Sequence, residues 1–207
     1  LWVGTEEGVT RCHEGNCEPY TSAEGLATTG CACLFEDSHS RIWCGNGYQP
    51  EAGISIFEAG RWQPLAELDR LPHPMLNTMM ETADGALWFG LGFSAEGGLA
   101  IYQAGEWRAW TKEDGLAGAK VRYLFQDQAG SIWIGSEYNG MLWLGPEGLD
   151  ALSGGVSKGV IFTPEDGLAG WEVKAMLQDS HGTLWLGTEL GLTRMSAEAW
   201  RALPDTQ

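Results

Sequence analysis

The fold is decided by the stretch Gly182-Thr183-Leu184-Trp185-Leu186-Gly187-Thr188-Glu189-Leu190-Gly191-Leu192-Thr193-Arg194, because the chain repeats its Trp-containing core five times. The five copies of this pentapeptide are Leu1-Trp2-Val3-Gly4-Thr5, Ile42-Trp43-Cys44-Gly45-Asn46, Leu87-Trp88-Phe89-Gly90-Leu91, Ile132-Trp133-Ile134-Gly135-Ser136 and Leu184-Trp185-Leu186-Gly187-Thr188. Their Trp residues lie 41, 45, 45 and 52 positions apart. An internal period of this order is typical of repeat architectures, in which similar units stack on one another.

Each repeat contains short apolar segments separated by turn signals such as Glu58-Ala59-Gly60 and Gln103-Ala104-Gly105. Short strands with regular turns predict antiparallel units of four strands, the size of a propeller blade. Most segments are apolar on successive residues, as expected for a sheet that neighbours cover on both faces. The prediction is an all-β, five-bladed β-propeller forming a single domain, 1–207, with repeat units 1–30, 31–74, 75–119, 120–170 and 171–207.

The two ends of the repeat array differ from its middle. The first unit contains only three strand patterns and is predicted to lack its innermost strand. The last unit is predicted to end in a fourth strand at Ala199-Trp200-Arg201-Ala202-Leu203. Either the first blade is three-stranded, or the chain is a slice of a larger ring, or a second molecule completes it. The chain begins inside a repeat at Leu1 and without Met, which favours a fragment or a processed product.

The composition limits the partners. The formal net charge is −16 and the sequence pI is near 4.5, which disfavours nucleic acid and anionic lipid as partners. No apolar segment approaches the roughly 18 residues that cross a bilayer, so no membrane association is predicted. With 43% hydrophobic residues, 19% charged residues and 30 Gly, the chain is predicted to be folded and rich in turns.

The repeat pattern resembles a known family. Unit five shows the family's spacing of apolar, Asp, Gly and Trp positions through Val173, Met176, Asp179, Gly182, Leu184, Trp185, Gly187, Thr188, Gly191 and Leu192. The connectors Glu113-Asp114-Gly115-Leu116 and Glu165-Asp166-Gly167-Leu168 also match. This pattern resembles the two-component regulator propeller repeat. The resemblance implies an extracytoplasmic β-propeller that senses ligands, often glycans, ahead of the signalling domains of a larger parent chain.

Candidate site residues fall in loops that a propeller places on one face. Glu6, Glu137 and Glu189 share one repeat position, two residues after the Gly, and are expected to form an acidic rim. The aromatic candidates are Tyr48, Phe93 and Tyr138, and the connectors between blades add Trp171 and Arg122. Aromatic faces and carboxylates together suit a glycan or another small molecule, or a cationic group. The alternative is that these carboxylates are solvated turn residues, duplicated with the repeat.

Some alternatives remain open at the level of sequence. Arg122 either lines the axial channel or pairs with a carboxylate. Cys12 and Cys17 flank a tight hairpin and either form a disulfide or remain two thiols at strand ends. Cys31, Cys33 and Cys44 lie in apolar segments and are predicted to be core residues.

No cofactor and no metal site are predicted. Asp37, Asp127 and Asp179 precede turns, and capping of the turn explains them better than calcium. His39 and His181 share a repeat position in units two and five, which would not be adjacent in a five-blade ring, so a shared metal is not expected.

Linear enzyme motifs such as Gly-x-Ser-x-Gly or His-Glu-x-x-His are absent. The favoured function is therefore a non-catalytic ligand-binding or sensing module. One alternative is a small lyase or hydrolase resembling the streptogramin lyases, for which only His73 is suitably placed. The other is a scaffold or propeller fragment completed by homo-oligomerisation.

Overall fold

The computed structural model describes residues 1–46, 52–146 and 159–202, and these residues are almost entirely strands and turns. The strands of the first three repeats are β1 (Trp2–Thr5), β2 (Gly8–His13), β3 (Asn16–Tyr20), β4 (Cys33–Glu36), β5 (Ile42–Gly45), β6 (Ile54–Glu58), β7 (Arg61–Pro64), β8 (Leu76–Glu81), β9 (Leu87–Phe93), β10 (Glu96–Gln103) and β11 (Glu106–Trp110). The others are β12 (Val121–Gln126), β13 (Ile132–Ser136), β14 (Met141–Leu144), β15 (Val160–Phe162), β16 (Val173–Gln178), β17 (Leu184–Thr188) and β18 (Gly191–Met195). One α-helix, α1 (Ala197–Arg201), follows β18 in the described part of the chain.

In the described residues the strands form five antiparallel sheets, one for each repeat. The sheets are blade one (β1–β3), blade two (β4–β7), blade three (β8–β11), blade four (β12–β15) and blade five (β16–β18). Within every blade, each strand pairs with the next strand in the sequence, which is the up-and-down order of a propeller blade. The predicted all-β propeller fold is confirmed, and so is the missing innermost strand of blade one.

The chain divides into two compact units, Leu1–Ala109 and Trp110–Gln207. That the whole chain is a single domain remains a prediction. In the first unit, the inner strands β4 and β8 lie side by side. Gly45 at the end of β5 has no side chain, and a Cβ there would collide with the side chain of Leu76. The repeated Gly therefore lets the next blade approach closely, and Trp43 packs in the core with Leu76 and Phe89.

Blades four and five form an equivalent interface in the second unit. Their inner strands β12 and β16 are neighbours, and a Cβ on Gly135 would lie 2.9 Å from Cβ of Val173. Trp133 is fully buried in the shared core with Met141 and Leu186. The repeated Trp is thus a large filler between blades, as expected from its place in the repeat.

Asp residues link the turn between the first two strands to the repeated Trp. Asp127 accepts hydrogen bonds from the backbone N–H groups of Ala129 and Ser131, each at 2.9 Å. Its second carboxylate oxygen accepts a bond from Nε1 of Trp133, also at 2.9 Å. Asp37 and Asp179 repeat this arrangement with Trp43 and Trp185. The carboxylates cap their own turns and also satisfy the indole N–H.

Short 3-10 helices lie in all four connectors between consecutive repeats. In the connector before β16, the Asp166 carboxylate accepts bonds from the backbone N–H and the hydroxyl of Thr163, at 2.9 and 3.0 Å. Gly167 then ends the helix with φ of 104°, a left-handed conformation that favours Gly. Thr111 and Asp114 form the same pair in the preceding connector. This geometry explains the recurrent Glu-Asp-Gly-Leu motif.

The predicted fourth strand of blade five is wrong. Residues 197–201 form helix α1, in which Ser196 accepts a hydrogen bond from the backbone N–H of Ala199 at 3.3 Å. Trp200 is buried in the core between blades four and five, and its Nε1 donates to the carbonyl of Gly182 at 2.7 Å. A Ser cap followed by good helix formers favours a helix, and the buried Trp anchors it.

Candidate ligand-binding cavity

A cavity of about 400 Å³ opens in the second unit, between loops of blades four and five. Its lining residues are Glu137, Tyr138, Asn139, Trp171, Glu172 and Glu189. The first three lie in the turn between β13 and β14, and Glu189 lies in the equivalent turn between β17 and β18. Trp171 and Glu172 immediately precede β16. The structure therefore brings together four predicted site residues, namely Glu137, Tyr138, Trp171 and Glu189.

Two aromatic side chains are presented to solvent at this cavity. Tyr138 is 63% exposed and Trp171 is 43% exposed, which is unusual for large apolar rings. The backbone N–H of Gly140 donates to the carbonyl of Trp171 at 2.9 Å, so that the two aromatic segments are tied together. The negative charge of Glu137 and its hydrogen bond to the hydroxyl raise the pKa of Tyr138.

Glu189 fixes the backbone that carries Trp171. Its two carboxylate oxygens accept bonds from the backbone N–H groups of Trp171 and Glu172, at 2.9 and 2.8 Å. Desolvation raises the pKa of Glu189, but the bonds from these N–H groups outweigh it, and the pKa lies below its ordinary value. Glu189 is a structural acceptor as well as a lining residue.

Glu137 is paired with a buried cation. Its carboxylate lies 2.6 Å from Nζ of Lys120, whose side chain is only 6% exposed. The backbone N–H of Glu137 also donates to the carbonyl of Lys120 at 3.2 Å. A buried ammonium needs a counter-charge, so Glu137 holds the loop as well as lining the cavity.

Glu172 lies between two cations, one from each blade. Nε of Arg122 lies 3.3 Å from one carboxylate oxygen, and Nζ of Lys174 lies 3.3 Å from the other. The sequence left open whether Arg122 lines the axial channel or pairs with a carboxylate, and in the structure it pairs with Glu172. Three carboxylates are thus accompanied by Lys120, Arg122 and Lys174, so the charges at this cavity balance.

The other predicted site residues lie elsewhere. Glu6 lines a separate cavity of about 500 Å³ in the first unit, together with Thr29, Cys31 and Asn46. Phe93 is the last residue of β9 and is 53% exposed, because β9 and β10 pair through to Glu96 and leave a shorter turn than expected. Tyr48 lies outside the described residues.

The sequence indicated the connector Trp171-Glu172 but missed Asn139 and Lys174 as parts of the site. Asn139 lies two residues after Glu137, and Glu172 follows Trp171 directly. Trp171 and Glu172 correspond in the repeat to Thr29 and Gly30, which line the equivalent cavity of the first unit. Alignment of the repeats could therefore have indicated that both connector positions line a cavity. The side chains that distinguish the two cavities lie at these positions.

The cysteines are disulfide-bonded or buried, and His73 accepts a hydrogen bond from the backbone. Cys12 and Cys17 form a disulfide between directly opposed residues of β2 and β3. Cys31, Cys33 and Cys44 are free and buried, and burial raises the pKa of Cys33 to about 12. Nδ1 of His73 accepts the backbone N–H of Met75 at 3.1 Å, and desolvation lowers its pKa.

The described residues contain no group of three or more His, Cys, Asp or Glu side chains placed to hold a metal ion. Within the same ranges, no helix has the length and apolar character required to cross a bilayer.

Comparison with known families agrees with the repeat pattern. Residues 115–138 and 169–189 match the family model described as the two component regulator propeller. These two segments are similar to the two-component regulator propeller repeat. The two matched segments include Glu137, Tyr138, Trp171, Glu172 and Glu189, all of which line the cavity. No curated protein matches the chain in sequence.

Solved structures share the fold at low sequence identity. The extracellular domain of the hybrid two component system BT3049 from B. thetaiotaomicron superposes with a TM-score of 0.75 and 16% identity over 99% of this chain and 27% of that chain. PorZ, a component of the type-IX secretion system of Porphyromonas gingivalis, gives a TM-score of 0.69 and 17% identity over 99% of this chain and 32% of that chain. The chain therefore spans about a quarter to a third of these structures.

An enzyme also shares the fold. The gluconolactonase XC5397 from Xanthomonas campestris gives a TM-score of 0.58 and 13% identity over 92% of this chain and 65% of that chain. At such identities the likenesses establish the propeller fold and nothing finer.

Proposed function

We propose that this chain is a non-catalytic sensor propeller, located outside the cytoplasm, that binds a glycan or a similar small polar molecule at the cavity of blades four and five. The regulator propeller repeats support the sensing role, and so does the likeness to extracellular domains of two-component systems. Its partners would then be the ligand and the signalling domains of a larger parent chain.

The single observation that carries the ligand class is the pair of exposed aromatic rings, Tyr138 and Trp171, beside held carboxylates. A sugar ring has an apolar C–H face, which packs on an aromatic ring, and an edge of hydroxyl groups, which donate to carboxylates. The cavity of about 400 Å³ lies in the usual size range of small-molecule sites. Neighbouring groups already fix the side chains of Glu137, Glu172 and Glu189. These side chains therefore lose little conformational entropy when a ligand binds.

The balance of charges at the cavity also limits the class of ligand. Each of the three carboxylates has a cation or backbone N–H groups as partners, so a cationic ligand would compete with Lys120, Arg122 or Lys174. Hydroxyl groups can add to these carboxylates without displacing the cations, since each oxygen accepts more than one hydrogen bond. A neutral oligosaccharide therefore fits better than a strongly charged molecule.

The test is a thermal-shift screen with neutral, acidic and amino oligosaccharides, followed by calorimetry on any that stabilise the protein. Trp171→Ala and Tyr138→Ala are each expected to weaken binding at least about tenfold, equivalent to roughly 1.4 kcal/mol. The control is Ile161→Ala, which removes an exposed apolar side chain of β15 outside the cavity. A screen without binders, or unchanged affinity in Trp171→Ala, would contradict the proposal.

Neither alternative function has an observation of comparable weight. The likeness to a gluconolactonase concerns the fold alone, and Nδ1 of His73 is engaged by the backbone of Met75. Completion by homo-oligomerisation remains an alternative, which the native mass of the protein tests directly.

A further inference from the structure

Blade two carries two neighbouring thiols on the face that meets blade one. Cys31 precedes β4 and Cys44 lies in β5, and both belong to a core cluster that also contains Val9 of blade one and Trp62 of blade two. Both side chains are buried and free of disulfides. The thiol of Cys44 forms a hydrogen bond with the sulfur of Cys31. The two sulfur atoms are therefore neighbours inside the first unit.

The backbone of blade two explains why these sulfur atoms meet. Gly45 pairs with Cys33 in the ladder between β4 and β5, and its carbonyl also accepts the backbone N–H of Ala32 at 2.9 Å. Two residues therefore oppose one at this point, as in a β-bulge. The extra residue changes the alternation of side chains, so that Cys31 lies on the same face of the sheet as Cys44.

Cys33, the third free thiol, lies on the opposite face. Its side chain belongs to the core of blades two and three, together with Leu76 and Phe89. Successive residues of a strand point to opposite faces, and Cys33 pairs with Gly45, the residue next to Cys44. The sheet therefore separates the thiol of Cys33 from the thiol pair.

The surroundings of the thiol pair favour uncharged sulfur. The hydrogen bond with Cys31 and desolvation both raise the pKa of Cys44. The thiol of Cys31 in turn donates to the carbonyl of Cys33 at 3.3 Å. An unpaired thiolate is costly in such an apolar core, whereas two thiols or one disulfide carry no charge. A disulfide is thus a derivative of the pair that this core accommodates.

The thiol pair also borders the second cavity. Cys31 lines this cavity of about 500 Å³, and so does Asn46, which lies two residues after Cys44. A Cβ on Gly4, another lining residue, would lie 3.3 Å from the sulfur of Cys31. The cavity therefore gives a small reagent a route to Cys31, with Cys44 as its neighbour in the core.

We propose that Cys31 and Cys44 form a disulfide when a small organic disulfide, R–S–S–R, enters this cavity. The sulfur of Cys31 attacks the reagent and forms a mixed disulfide, and the released R–S⁻ takes up the proton of the Cys31 thiol. Cys44 then attacks the sulfur of Cys31, and its proton leaves with the second R–SH. The two cysteines are thereby oxidised, and one reagent molecule is reduced to two thiols.

The new bond would tie the connector that enters blade two to strand β5. Because Cys31 lines the cavity and Cys44 lies two residues before Asn46, the bond would join two parts of the cavity wall. The chain already contains one disulfide, Cys12–Cys17. Disulfides persist in oxidising compartments, where reagents of the required class are present.

The test is a count of free thiols after exposure to hydroxyethyl disulfide, a small uncharged reagent. The folded protein is incubated with an excess at about pH 8, where more thiol is ionised, and is then quenched with acid. Alkylation under denaturing conditions and mass spectrometry give the number of thiols. We expect this number to fall from three to one, and a peptide map to join Cys31 to Cys44.

Substitutions assign the two steps. Cys44→Ala is expected to stop at the mixed disulfide of Cys31, and Cys31→Ala is expected to leave Cys44 unmodified. The matched control is Cys33→Ala, which removes the buried thiol on the opposite face and is expected to form the bond as the wild type does.

Two outcomes in the wild type would overturn the proposal. Three free thiols after prolonged incubation of the folded protein would show that the cavity gives no access to Cys31. A mixed disulfide that persists on Cys31 would show that Cys44 does not reach it. Neither outcome depends on ligand binding at the cavity of blades four and five, so this proposal and the proposed function fail separately.

Discussion

At the residue scale, the bond between Asp and the repeated Trp shows how the repeat stabilises itself. Asp37, Asp127 and Asp179 lie six positions before their Trp, and each binds both the turn and the indole. Blade three departs from this pattern, because Thr82 occupies the Asp position. Trp88 is 0% exposed, and its Nε1 has no hydrogen-bond partner among the described residues. An unsatisfied buried donor costs about 1–3 kcal/mol.

Restoring the acceptor is therefore expected to stabilise the protein. Asp84 accepts a bond from the hydroxyl of Thr82, so a new carboxylate at position 82 requires its removal. We predict that Thr82→Asp/Asp84→Ala is more stable than Asp84→Ala alone by about 1 kcal/mol, because Trp88 gains an acceptor. Urea denaturation of both variants gives the difference. Equal or lower stability of the double variant would refute this account of Trp88.

At the element scale, the end of blade five shows where a strand pattern was misleading. Ala199-Trp200-Arg201-Ala202-Leu203 has the apolar character of a fourth strand, yet residues 197–201 form a helix. Ser196 begins this helix, and the bond from Trp200 to the carbonyl of Gly182 fixes its position. The helix occupies the place in the chain where β3, β7, β11 and β15 complete the other blades.

The helix start can be tested by substitution at its cap. Ser196→Ala is expected to cost about 1 kcal/mol, because the N–H of Ala199 loses its side-chain acceptor. Ser196→Asp retains an acceptor and is expected to remain close to the wild type. Denaturant unfolding of the three proteins measures both effects. If Asp is as destabilising as Ala at this position, the cap does not hold the helix.

At the scale of the whole molecule, the carboxylates of the turns make the free energy of unfolding depend on pH. Nε1 of Trp185 lowers the pKa of Asp179, and at Asp37 the bonds from Trp43 and Arg41 outweigh desolvation and lower the pKa. The pKa of Asp84 is lowered as well, because bonds led by that of Thr82 outweigh desolvation. A carboxyl group with a lowered folded pKa contributes stability above its unfolded value of about 3.9 and loses it as pH falls through the folded pKa.

We therefore predict that the free energy of unfolding falls progressively as the pH drops below about 4. Urea denaturation between pH 7 and pH 2 measures this dependence. Asp179→Asn should make the acid limb shallower, since one titrating group is removed. A loss of stability concentrated between pH 7 and pH 5 would point to other groups.

The sequence alone determined the repeat, the blade as its unit and most strands, because turn signals and apolar patterns are local properties of the chain. It also marked Glu137, Tyr138, Trp171 and Glu189 as site candidates, since each has a position defined by the repeat. Only the tertiary structure decided that these four line one cavity, because blade packing brings together residues from separate turns.

The tertiary structure also decided which charged side chains pair with one another. Lys120 lies 17 positions before Glu137, and no sequence pattern pairs the two residues. In the structure, Nζ of the buried Lys120 lies 2.6 Å from the carboxylate of Glu137. The last residues of blade five became a helix because Trp200 had a buried place between two blades. Contacts of this kind depend on which surfaces meet in space, and no local pattern in a single sequence encodes them.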